Sequence, residues 1–279
     1  MWDKELLEKQ EPVQQQTEKP GDIKPIPLKE LHKKKGLKIL LYGDTATGKT
    51  RFSLSAPGPI LFLDTEMGVA PLAPLVKDKE VNVLEIFKLN PETYQLDSIK
   101  SLEEVDKAIF YLRNNSGSYG TVIMDSVTSI WQYLQDWLRF EVVEKRGETF
   151  KSGNPTLQGV TQVPTDRRDW AAATTRHTNF IYNLMQLDQN FIAVAQSHPV
   201  YDDKGNATLN TKPSYQKNMP FLIDIVIKME KRLNPITKTY KYFGTIEKCR
   251  IPVGLEGTVV DDVTFDKVKN LLIEKGAFV

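Results

Sequence analysis

The residue types best suited to chemistry stand together near the start of the chain, where residues 43–50 read Gly-Asp-Thr-Ala-Thr-Gly-Lys-Thr. The spacing fits the pattern G-x-x-x-x-G-K-[ST], whose glycines let the backbone curl so that successive N–H groups point at phosphate oxygens. In such a loop the amine of Lys49 reaches the β- and γ-phosphates, and the hydroxyl of Thr50 binds Mg²⁺. The segment therefore predicts a nucleoside triphosphate with Mg²⁺ as the ligand. The residues expected to line its site are Gly43, Asp44, Thr45, Ala46, Thr47, Gly48, Lys49, Thr50 and Arg51.

The segments on either side of this loop have the patterns of a strand and a helix. Residues 38–42 form a short apolar run typical of a buried parallel strand, and residues 49–56 can form a helix that the Pro-Gly-Pro of residues 57–59 must end. A strand, a glycine-containing loop and a helix in this order are the context in which the pattern binds phosphate. The alternative is a glycine turn followed by a solvated lysine.

Acidic residues follow two further apolar runs. Residues 59–63 lead into Asp64 and Glu66, and residues 121–124 lead into Asp125. Carboxylates at the carboxyl ends of parallel strands face the ligand crevice of an α/β sheet. We expect Glu66 to orient or deprotonate an attacking water, and Asp125 to hold Mg²⁺ through water or through the loop threonine. Asp64 would lie near the magnesium ion or bond to the loop. The alternative is that strand-end acids only cap the turns that follow.

A fourth apolar run, residues 190–198, ends in amides and hydroxyls instead of acids. Gln196 stands where a side chain can sense the γ-phosphate, whereas His198 is expected to be a hydrogen-bonded strand-end residue without a catalytic role. Two irregular segments, residues 145–165 and 201–219, come before and after this strand. Loops of such length inside a compact domain are usually functional or disordered.

The rest of the chain alternates between strand-like and helix-like segments. Further strands are predicted at residues 81–87, 221–229 and 239–248, and further helices at residues 102–112, 127–143, 166–187 and 265–275. This alternation predicts an α/β fold whose parallel sheet holds the triphosphate in its crevice. Arg167 and Arg168, which open one of the helices, are interpreted as solvated surface residues, with a phosphate or nucleic-acid role as the alternative.

Composition excludes several classes of protein. The 279 residues are 40% hydrophobic and 26% charged, with a formal net charge of +1, so no global basic field indicates nucleic acid. Residues 200–250 are nevertheless locally basic, with ten Lys and Arg against five Asp and Glu. The single cysteine, Cys249, excludes a disulfide framework and cysteine-based zinc sites, and three histidines cannot form a His-rich metal site.

The first segment differs from the rest of the chain. Residues 1–36 are polar and rich in Gln, Glu, Lys and Pro, so we predict a flexible tail followed by one core at residues 37–279. Trp2, Leu6 and Leu7 could form the apolar side of a short helix that docks on a neighbouring subunit, the alternative being a frayed terminus. With neither a signal peptide nor a run of ~20 apolar residues, we expect a soluble cytoplasmic protein, of a host or a virus-infected cell, without a membrane partner.

Taken in order, these motifs resemble a known family. The loop at residues 43–50, Leu-Asp-Thr-Glu at 63–66, Ile-Met-Asp-Ser at 123–126 and Ala-Gln at 195–196 resemble the core of RecA-type ATPases. More narrowly, the chain resembles the minimal, single-domain RecA-like proteins of phages and of archaeal viruses or plasmids, the Sak4-like annealing and recombination ATPases, over roughly residues 36–275. The resemblance implies a three-layer RecA-like P-loop NTPase fold with a mostly parallel central sheet.

The resemblance also implies roles for individual residues. Lys49 and Thr50 would bind the phosphates of ATP and Mg²⁺, and Asp125 would complete the magnesium site. Glu66 would activate water, and Gln196 would couple the γ-phosphate to the loop that follows it. The segments at residues 145–165 and 201–219 correspond to those that face DNA in RecA-type filaments. Lys248 and Arg250 resemble paired cations that reach into the ATP of an adjacent subunit, the alternative being two cations on an exposed strand.

The leading functional hypothesis is an ATPase that assembles into homo-oligomers with ATP at the subunit interfaces. It would bind single-stranded DNA, in part by stacking on Tyr201 or Tyr215, and anneal or exchange strands with DNA-stimulated hydrolysis of ATP to ADP and phosphate. A single-strand-binding protein is a further partner that this role allows. The alternatives are a viral helicase or genome-packaging motor ATPase, and a nucleotide-gated regulatory scaffold.

Some features depart from the family or exclude related functions. The chain has no recognisable extra DNA-binding domain, and the second irregular segment lacks the glycine richness usual in the best-known recombinases. Guanine-specific GTPases are disfavoured because no [NT]-K-x-D motif follows the fourth strand. Small-molecule kinases are disfavoured because they typically carry a basic lid in place of a strand-end acid such as Glu66.

Overall fold

A computed structural model describes residues 35–144, 165, 167–250 and 254–277, together with residues 25, 27 and 30. All helices and strands named below belong to one compact unit, residues 34–279. Most of the predicted tail and almost all of the predicted loop at residues 145–165 lie outside the described residues.

Strands and helices alternate along the described chain. The strands are β1 (Lys38–Gly43), β2 (Ile60–Asp64), β3 (Val81–Glu85), β4 (Thr121–Asp125), β5 (Asn190–Tyr201), β6 (Ala207–Pro213), β7 (Ile225–Leu233), β8 (Tyr240–Cys249) and β9 (Val259–Asp261). The α-helices are α1 (Lys49–Leu54), α2 (Ser98–Asn114), α3 (Val127–Trp137), α4 (Arg167–Met185), α5 (Met219–Leu222) and α6 (Phe265–Glu274). Short 3-10 helices cover Ala70–Val76 and Ser116–Ser118, and a π-helix covers Leu138–Glu144.

The described strands form one sheet in the order β3-β2-β4-β5-β1-β7-β8-β9, with β6 paired to the outer part of β5. The strands from β3 to β7 in this order run parallel, while β8, β9 and β6 pair antiparallel with their neighbours. The apolar runs that predict buried strands are β1, β2, β4 and the first half of β5, which form the middle of the sheet. The chain thus has the mixed α/β fold with a mostly parallel central sheet that its strand and helix patterns predict.

Side chains of each central strand alternate between two cores on opposite faces of the sheet. On β4, Val122 and Met124 pack in one core and Ile123 packs in the other. Helices α2, α3 and α4 contribute to the first core, whereas Phe52 of α1 and Val268 of α6 contribute to the second. Because both faces are covered by helices, the sheet is the middle of three layers. In the described ranges, no helix is both long enough and apolar enough to cross a bilayer.

Three segments differ from the sequence-based prediction. The predicted irregular segment at 201–219 is largely a β-hairpin, because β5 continues to Tyr201, turns at Gly205 and returns as β6. Its strands carry polar residues on both faces, so the alternation that indicates a strand is absent. The predicted strand at 221–229 begins later, at Ile225, after the helical turn α5. The helix predicted for 127–143 leaves α-geometry at Leu138, where the π-helix begins.

Candidate functional site

A cleft of about 610 Å³ lies at the carboxyl edge of the parallel strands, where β1, β2 and β4 end and β5 continues into the hairpin. The parallel register brings these ends together, because Asp125 of β4 lies opposite Asp64 of β2 and Gly43 of β1 lies opposite Gln196 of β5. The volume is within the range of sites for small ligands and cofactors. Residues from these four strands and from the loops after β1 and β2 line the cleft. Those on which the chemistry depends are Gly43, Asp44, Lys49, Thr50, Glu66, Asp125, Ser126 and Gln196.

The loop after β1 needs both of its glycines. A Cβ on Gly43 would lie 2.3 Å from the carbonyl oxygen of Met229, and Gly48 has a φ of +89°, which favours glycine. Thr47 is buried and donates its hydroxyl to the carbonyl oxygen of Asp44 at 2.8 Å. Thr45 and Ala46 are exposed at the tip. The loop is therefore held from within, and its tip faces solvent.

Lys49 lies against the loop. Its amine donates to the carbonyl oxygens of Gly43 and Asp44, at 2.8 Å each. Burial lowers the pKa of Lys49 from its ordinary value, and the carboxylates of Asp125, Glu66 and Asp44 oppose that shift. The amine thus lines the cleft within reach of an anion that enters it, as the motif predicts.

Thr50 and Asp125 meet across the cleft. The threonine hydroxyl donates to Oδ2 of Asp125 at 2.7 Å. The pKa of Asp125 is raised to about 6, chiefly by burial and also by the negative charge of Glu66, while the bond from Thr50 and the charge of Lys49 act in the opposite direction. Burial makes it costly to ionise a carboxyl group, and a nearby cation stabilises the ionised form. The pair fits Mg²⁺, an ion that proteins hold through one or two oxygen ligands while phosphates and waters complete its octahedron. In the described ranges, no group of three His, Cys, Asp or Glu side chains is placed to hold a metal ion by itself.

Glu66 is held by three side chains that donate to the same oxygen. Ser129 donates to its Oε1 at 3.0 Å, Gln196 donates from Nε2 at 2.9 Å, and Ser126 donates from its hydroxyl. The side chain is otherwise exposed at the cleft. All three donors bond to Oε1, so none of these three bonds occupies Oε2. The geometry brings together the two residues that the sequence assigns to water activation and phosphate sensing.

Ser126 and Ser129 were not predicted as site residues. Ser126 caps α3, since its hydroxyl accepts a bond from the backbone N–H of Ser129 at 3.2 Å. The signal in the sequence is therefore that of a helix start, directly after the acidic residue of β4. The peptide bond between Asp125 and Ser126 is cis. Only the tertiary structure turns this cap toward Glu66.

Asp64 has a structural position in the loop after β2. Its carboxylate accepts bonds from the backbone N–H groups of Glu66, Gly68 and Val69 at 3.1 to 3.3 Å. Of the two roles considered for Asp64, bonding to the loop is therefore the one that its contacts support. By holding this loop, Asp64 sets the position from which Glu66 reaches the cleft.

Gln196 connects the cleft to the β5–β6 hairpin. Its backbone N–H donates to Oγ1 of Thr128 at 2.9 Å, and Thr128 donates to the carbonyl oxygen of Ser214 at 2.6 Å. Ser214 in turn donates its N–H to the carbonyl oxygen of Gln196 at 2.7 Å. On the other side, the hydroxyl of Ser197 donates to Oδ1 of Asp44 in the phosphate-type loop. The base of the hairpin is thus bonded both to the loop and, through Gln196, to Glu66.

The remaining predicted residues lie around or away from the cleft. Arg51 is exposed on α1, beside the loop. His198 is half-buried in the hairpin, and burial together with the charge of Lys212 lowers its pKa. It is not at a strand end as predicted, because β5 continues past it to Tyr201. The structure does not bring Lys248 and Arg250 to the cleft of their own chain. Both lie at the end of β8, which runs antiparallel to β7 and so ends at the opposite edge of the sheet.

At that edge the two cations bind one helical turn. The amine of Lys248 donates to the carbonyl oxygens of Ile223, at 2.6 Å, and of Pro220. Arg250 donates to the carbonyl oxygen of Phe221 and lies 3.4 Å from the carboxylate of Asp224. Within one chain these residues therefore stabilise the segment that leads from α5 into β7.

A comparison with protein families agrees with this geometry. The family model described as the AAA domain matches residues 35–250, which include every residue of the cleft described above. No curated protein matches the chain.

Proposed function

The chain belongs to the AAA domain family, and on that premise we propose that it is a RecA-like ATPase that hydrolyses ATP to ADP and phosphate and acts on single-stranded DNA. Membership indicates a nucleotide-binding ATPase of the P-loop type. The observation that carries the finer proposal is the convergence of Lys49, the Thr50–Asp125 pair and the Glu66–Gln196 pair in one cleft. Strand β5, which carries Gln196, lies between the strands of the loop and of Asp125.

The residues of the cleft suit phosphoryl transfer to water. Lys49 can leave the loop carbonyls to neutralise charge on the phosphate oxygens, while Thr50 and Asp125 would hold Mg²⁺, which when bound neutralises the charge that develops between the β- and γ-phosphates. Glu66 takes a proton from the attacking water as the water oxygen bonds to the γ-phosphorus. The bond from that phosphorus to the β–γ bridging oxygen then breaks, which leaves ADP and phosphate. Gln196 orients Glu66 and senses whether the γ-phosphate is present.

The substitution Glu66→Gln tests this proposal. Glutamine keeps the size and the acceptor oxygen but cannot take the proton, so we expect turnover to fall by about 10²- to 10⁴-fold while ATP still binds. Hydrolysis is followed by phosphate release and binding by calorimetry. Glu274→Gln, at an exposed position of α6, is the matched control and should leave both unchanged. A scaffold with negligible turnover would show no difference between the two variants.

The hairpin supports DNA as the partner. It begins directly after Gln196, and it presents Tyr201, which is 61% exposed, with the exposed Lys204 and Lys212. Aromatic side chains stack on bases and cations contact the backbone, a combination typical of single-strand binding. Because the base of the hairpin is bonded to Gln196, a strand held there would be coupled to Glu66. Hydrolysis should therefore rise when single-stranded DNA is added.

A double substitution of Lys204 and Lys212 by alanine tests this coupling. Each lost phosphate contact should reduce the slope of log K against log salt by about 0.7 for single-stranded DNA. DNA-stimulated hydrolysis should fall as well, while hydrolysis without DNA stays at the wild-type rate. The double substitution of the exposed Lys77 and Lys275 by alanine is the control. Equal salt slopes for the two double variants would remove the hairpin from the DNA site.

Assembly is supported by the position of the cations on β8. Since Lys248 and Arg250 lie at the edge opposite their own cleft, a role in hydrolysis requires the cleft of a neighbouring copy. We place them there, as donors to the γ-phosphate across a subunit interface. Hydrolysis would then rise more steeply than in proportion to protein concentration.

A further inference from the structure

The direction in which a nucleotide lies follows from the order of the strands. Glu66 follows β2, Asp125 ends β4 and Gln196 lies on β5, and all three strands are on one side of β1. The γ-phosphate, where hydrolysis occurs, must point to that side. The nucleoside must therefore leave the loop on the opposite side of β1, toward β7, β8 and β9. This step rests on the proposed function, because it assumes a triphosphate in the loop.

An aromatic residue lies on the loop at that side. A Cβ added to Gly48 would be 2.8 Å from Cδ1 of Tyr242, and three atoms of the ring lie within 3.3 Å of that point. The ring of Tyr242 therefore rests directly on the backbone of the phosphate-type loop. Tyr242 is half-buried, so part of its ring remains open to solvent. Sequence reasoning did not single out this residue.

Arg51 lies beside the ring and is paired with an acidic residue. The guanidinium carbon of Arg51 is 5.3 Å from the centroid of the Tyr242 ring. Nη2 of Arg51 lies 3.9 Å from Oδ1 of Asp262. The side chains of Arg51 and Asp262 are 55% and 59% exposed, so this group of residues is accessible. It is assembled from three elements: helix α1, strand β8 and the residue after β9.

The pairing of the strands explains why these residues meet. Phe243 of β8 lies opposite Asp261 of β9, so Tyr242 and Asp262 are the next residues along the two strands. Helices α1 and α6 share the second core, and the backbone N–H of Phe265 donates to the hydroxyl of Ser55 at 2.8 Å. This contact draws the chain after β9 toward α1 and so brings Asp262 to Arg51.

We propose that Tyr242 and Arg51 form the seat of the nucleobase of ATP, with Asp262 as a positioning residue that holds the guanidinium. A planar base stacks on both a phenol ring and a guanidinium plane. The ring of Tyr242 lies against Gly48 of the loop, so the base of a nucleotide whose phosphates fill the loop can contact the seat. The interaction uses the flat face of the base and is lost when the ligand has no base.

That last property gives the test. Calorimetry measures the dissociation constants of ATP and of inorganic tripolyphosphate, both with Mg²⁺, for the wild type, Tyr242→Phe and Tyr242→Leu. Phenylalanine keeps the stacking face, and leucine keeps apolar volume beneath Gly48 but has no ring. We expect Tyr242→Leu to weaken ATP binding about tenfold, in the range of one lost stacking contact, and to leave tripolyphosphate binding unchanged. Tyr242→Phe should match the wild type for both ligands.

Other outcomes overturn the seat in identifiable ways. Equal weakening of ATP and tripolyphosphate by Tyr242→Leu would mean that Tyr242 only supports the loop. Unchanged binding of both ligands would mean that the base lies elsewhere. Failure of the proposed function looks different, because the wild type would then bind neither ligand, or Lys49→Ala would bind both as well as the wild type does. A thermal melt of each variant verifies that it is folded.

Discussion

Two lysines, one at the start of β1 and one at the start of α1, have similar bonds and different surroundings. The amine of Lys38 donates to the carbonyl oxygens of Leu187 and Gln189, at 2.8 and 2.5 Å, and its side chain is almost fully enclosed. The amine of Lys49 also donates to two carbonyl oxygens, but it lines an open cleft beside Glu66 and Asp125. Burial is the main cause that lowers the pKa of both. The two lysines therefore cannot be distinguished by their hydrogen bonds or by the direction of their pKa shifts. They differ in whether an anion can reach the amine.

The same contrast extends to the two edges of the sheet. At the amino edge, Lys38, Lys248 and Arg250 donate to main-chain carbonyls near the ends of α4 and α5. At the carboxyl edge, acidic groups accept bonds from hydroxyl and amide side chains, which can rotate when a ligand enters. Charged residues thus stabilise the fold at one edge and remain available for chemistry at the other. The predictions below test where that division holds.

Substitution of Arg250 is expected to have the largest effect. Arg250 stabilises the amino edge of its own chain, and we propose that it also acts in the cleft of an adjacent subunit. Arg250→Ala should reduce hydrolysis by about 10³-fold if it acts on the γ-phosphate of an adjacent subunit. Mixing this variant with Lys49→Ala should restore part of the activity, since some interfaces then combine an intact cleft with an intact arginine. Arg113→Ala, on the exposed surface of α2, is the control. A loss that mixing fails to restore, accompanied by a lower melting temperature, would leave Arg250 with the structural role alone.

Lys49→Ala should separate function from stability. We expect hydrolysis to fall by about 10²-fold or more, because a preorganised donor to the phosphates is lost. The melting temperature without nucleotide should stay close to that of the wild type, since the two residues whose carbonyls lose their donor, Gly43 and Asp44, line the open cleft. Calorimetric ATP binding and a thermal melt measure the two effects. A large drop in the melting temperature would make Lys49 a structural lysine like Lys38.

Lys38→Met should show the opposite pattern. Removal of the amine leaves two carbonyl oxygens at the end of α4 without this donor, so we expect the free energy of unfolding to fall by about 2 kcal/mol. Urea denaturation measures this change. The rate of hydrolysis per folded molecule should equal that of the wild type, because Lys38 lies at the edge away from the cleft. A specific loss of turnover would contradict the division between the edges.

The pH dependence of stability should also report on Lys38. Burial, with repulsion from Lys35, lowers its pKa from 10.5 to about 8. Between about pH 8 and 10 the unfolded chain retains a proton at this site that the folded chain has lost, so folding gains stability as the pH rises. Relative to Lys38→Met, the wild type should gain up to about 1.4 kcal/mol per pH unit in this window. Urea denaturation of both proteins at pH 7.5, 8.5 and 9.5 measures the difference. If the free energies of unfolding of the two proteins change equally with pH, the pKa of Lys38 is not lowered in the folded state.

Ser129→Ala should have the smallest effect. It removes one of the three donors to Oε1 of Glu66, and the loss of a single hydrogen bond costs about 1 kcal/mol. We expect turnover to fall only a few-fold, with ATP affinity unchanged. Thr128→Val, by contrast, removes the hydroxyl that bridges Gln196 and Ser214 and leaves only their direct backbone bond, so it should reduce the stimulation by DNA more than the basal rate. If the two variants behave alike, the proposed coupling through Gln196 fails.

Local patterns in the sequence were sufficient for much of the fold and for part of the cleft. The pattern of residues 43–50 is contained in one short segment, so the loop could be recognised from its glycines, lysine and threonine. The apolar runs before Asp64, Asp125 and Gln196 predicted buried strands that the sheet contains. The hairpin at 201–213 was missed because its polar strands lack the alternation that indicates burial.

Contacts between distant segments were decided only in the tertiary structure. The donors around Glu66 come from positions 60 to 130 residues away in the sequence, so no local pattern shows that they share one carboxylate oxygen. Tyr242 meets Gly48 only because β8 is placed beside β7 and reaches past the loop. Lys38 and Lys49 differ in exposure for the same reason, since burial depends on what packs around a side chain. The sequence by itself determined which residues could bind a triphosphate, and the tertiary structure decided which of them meet.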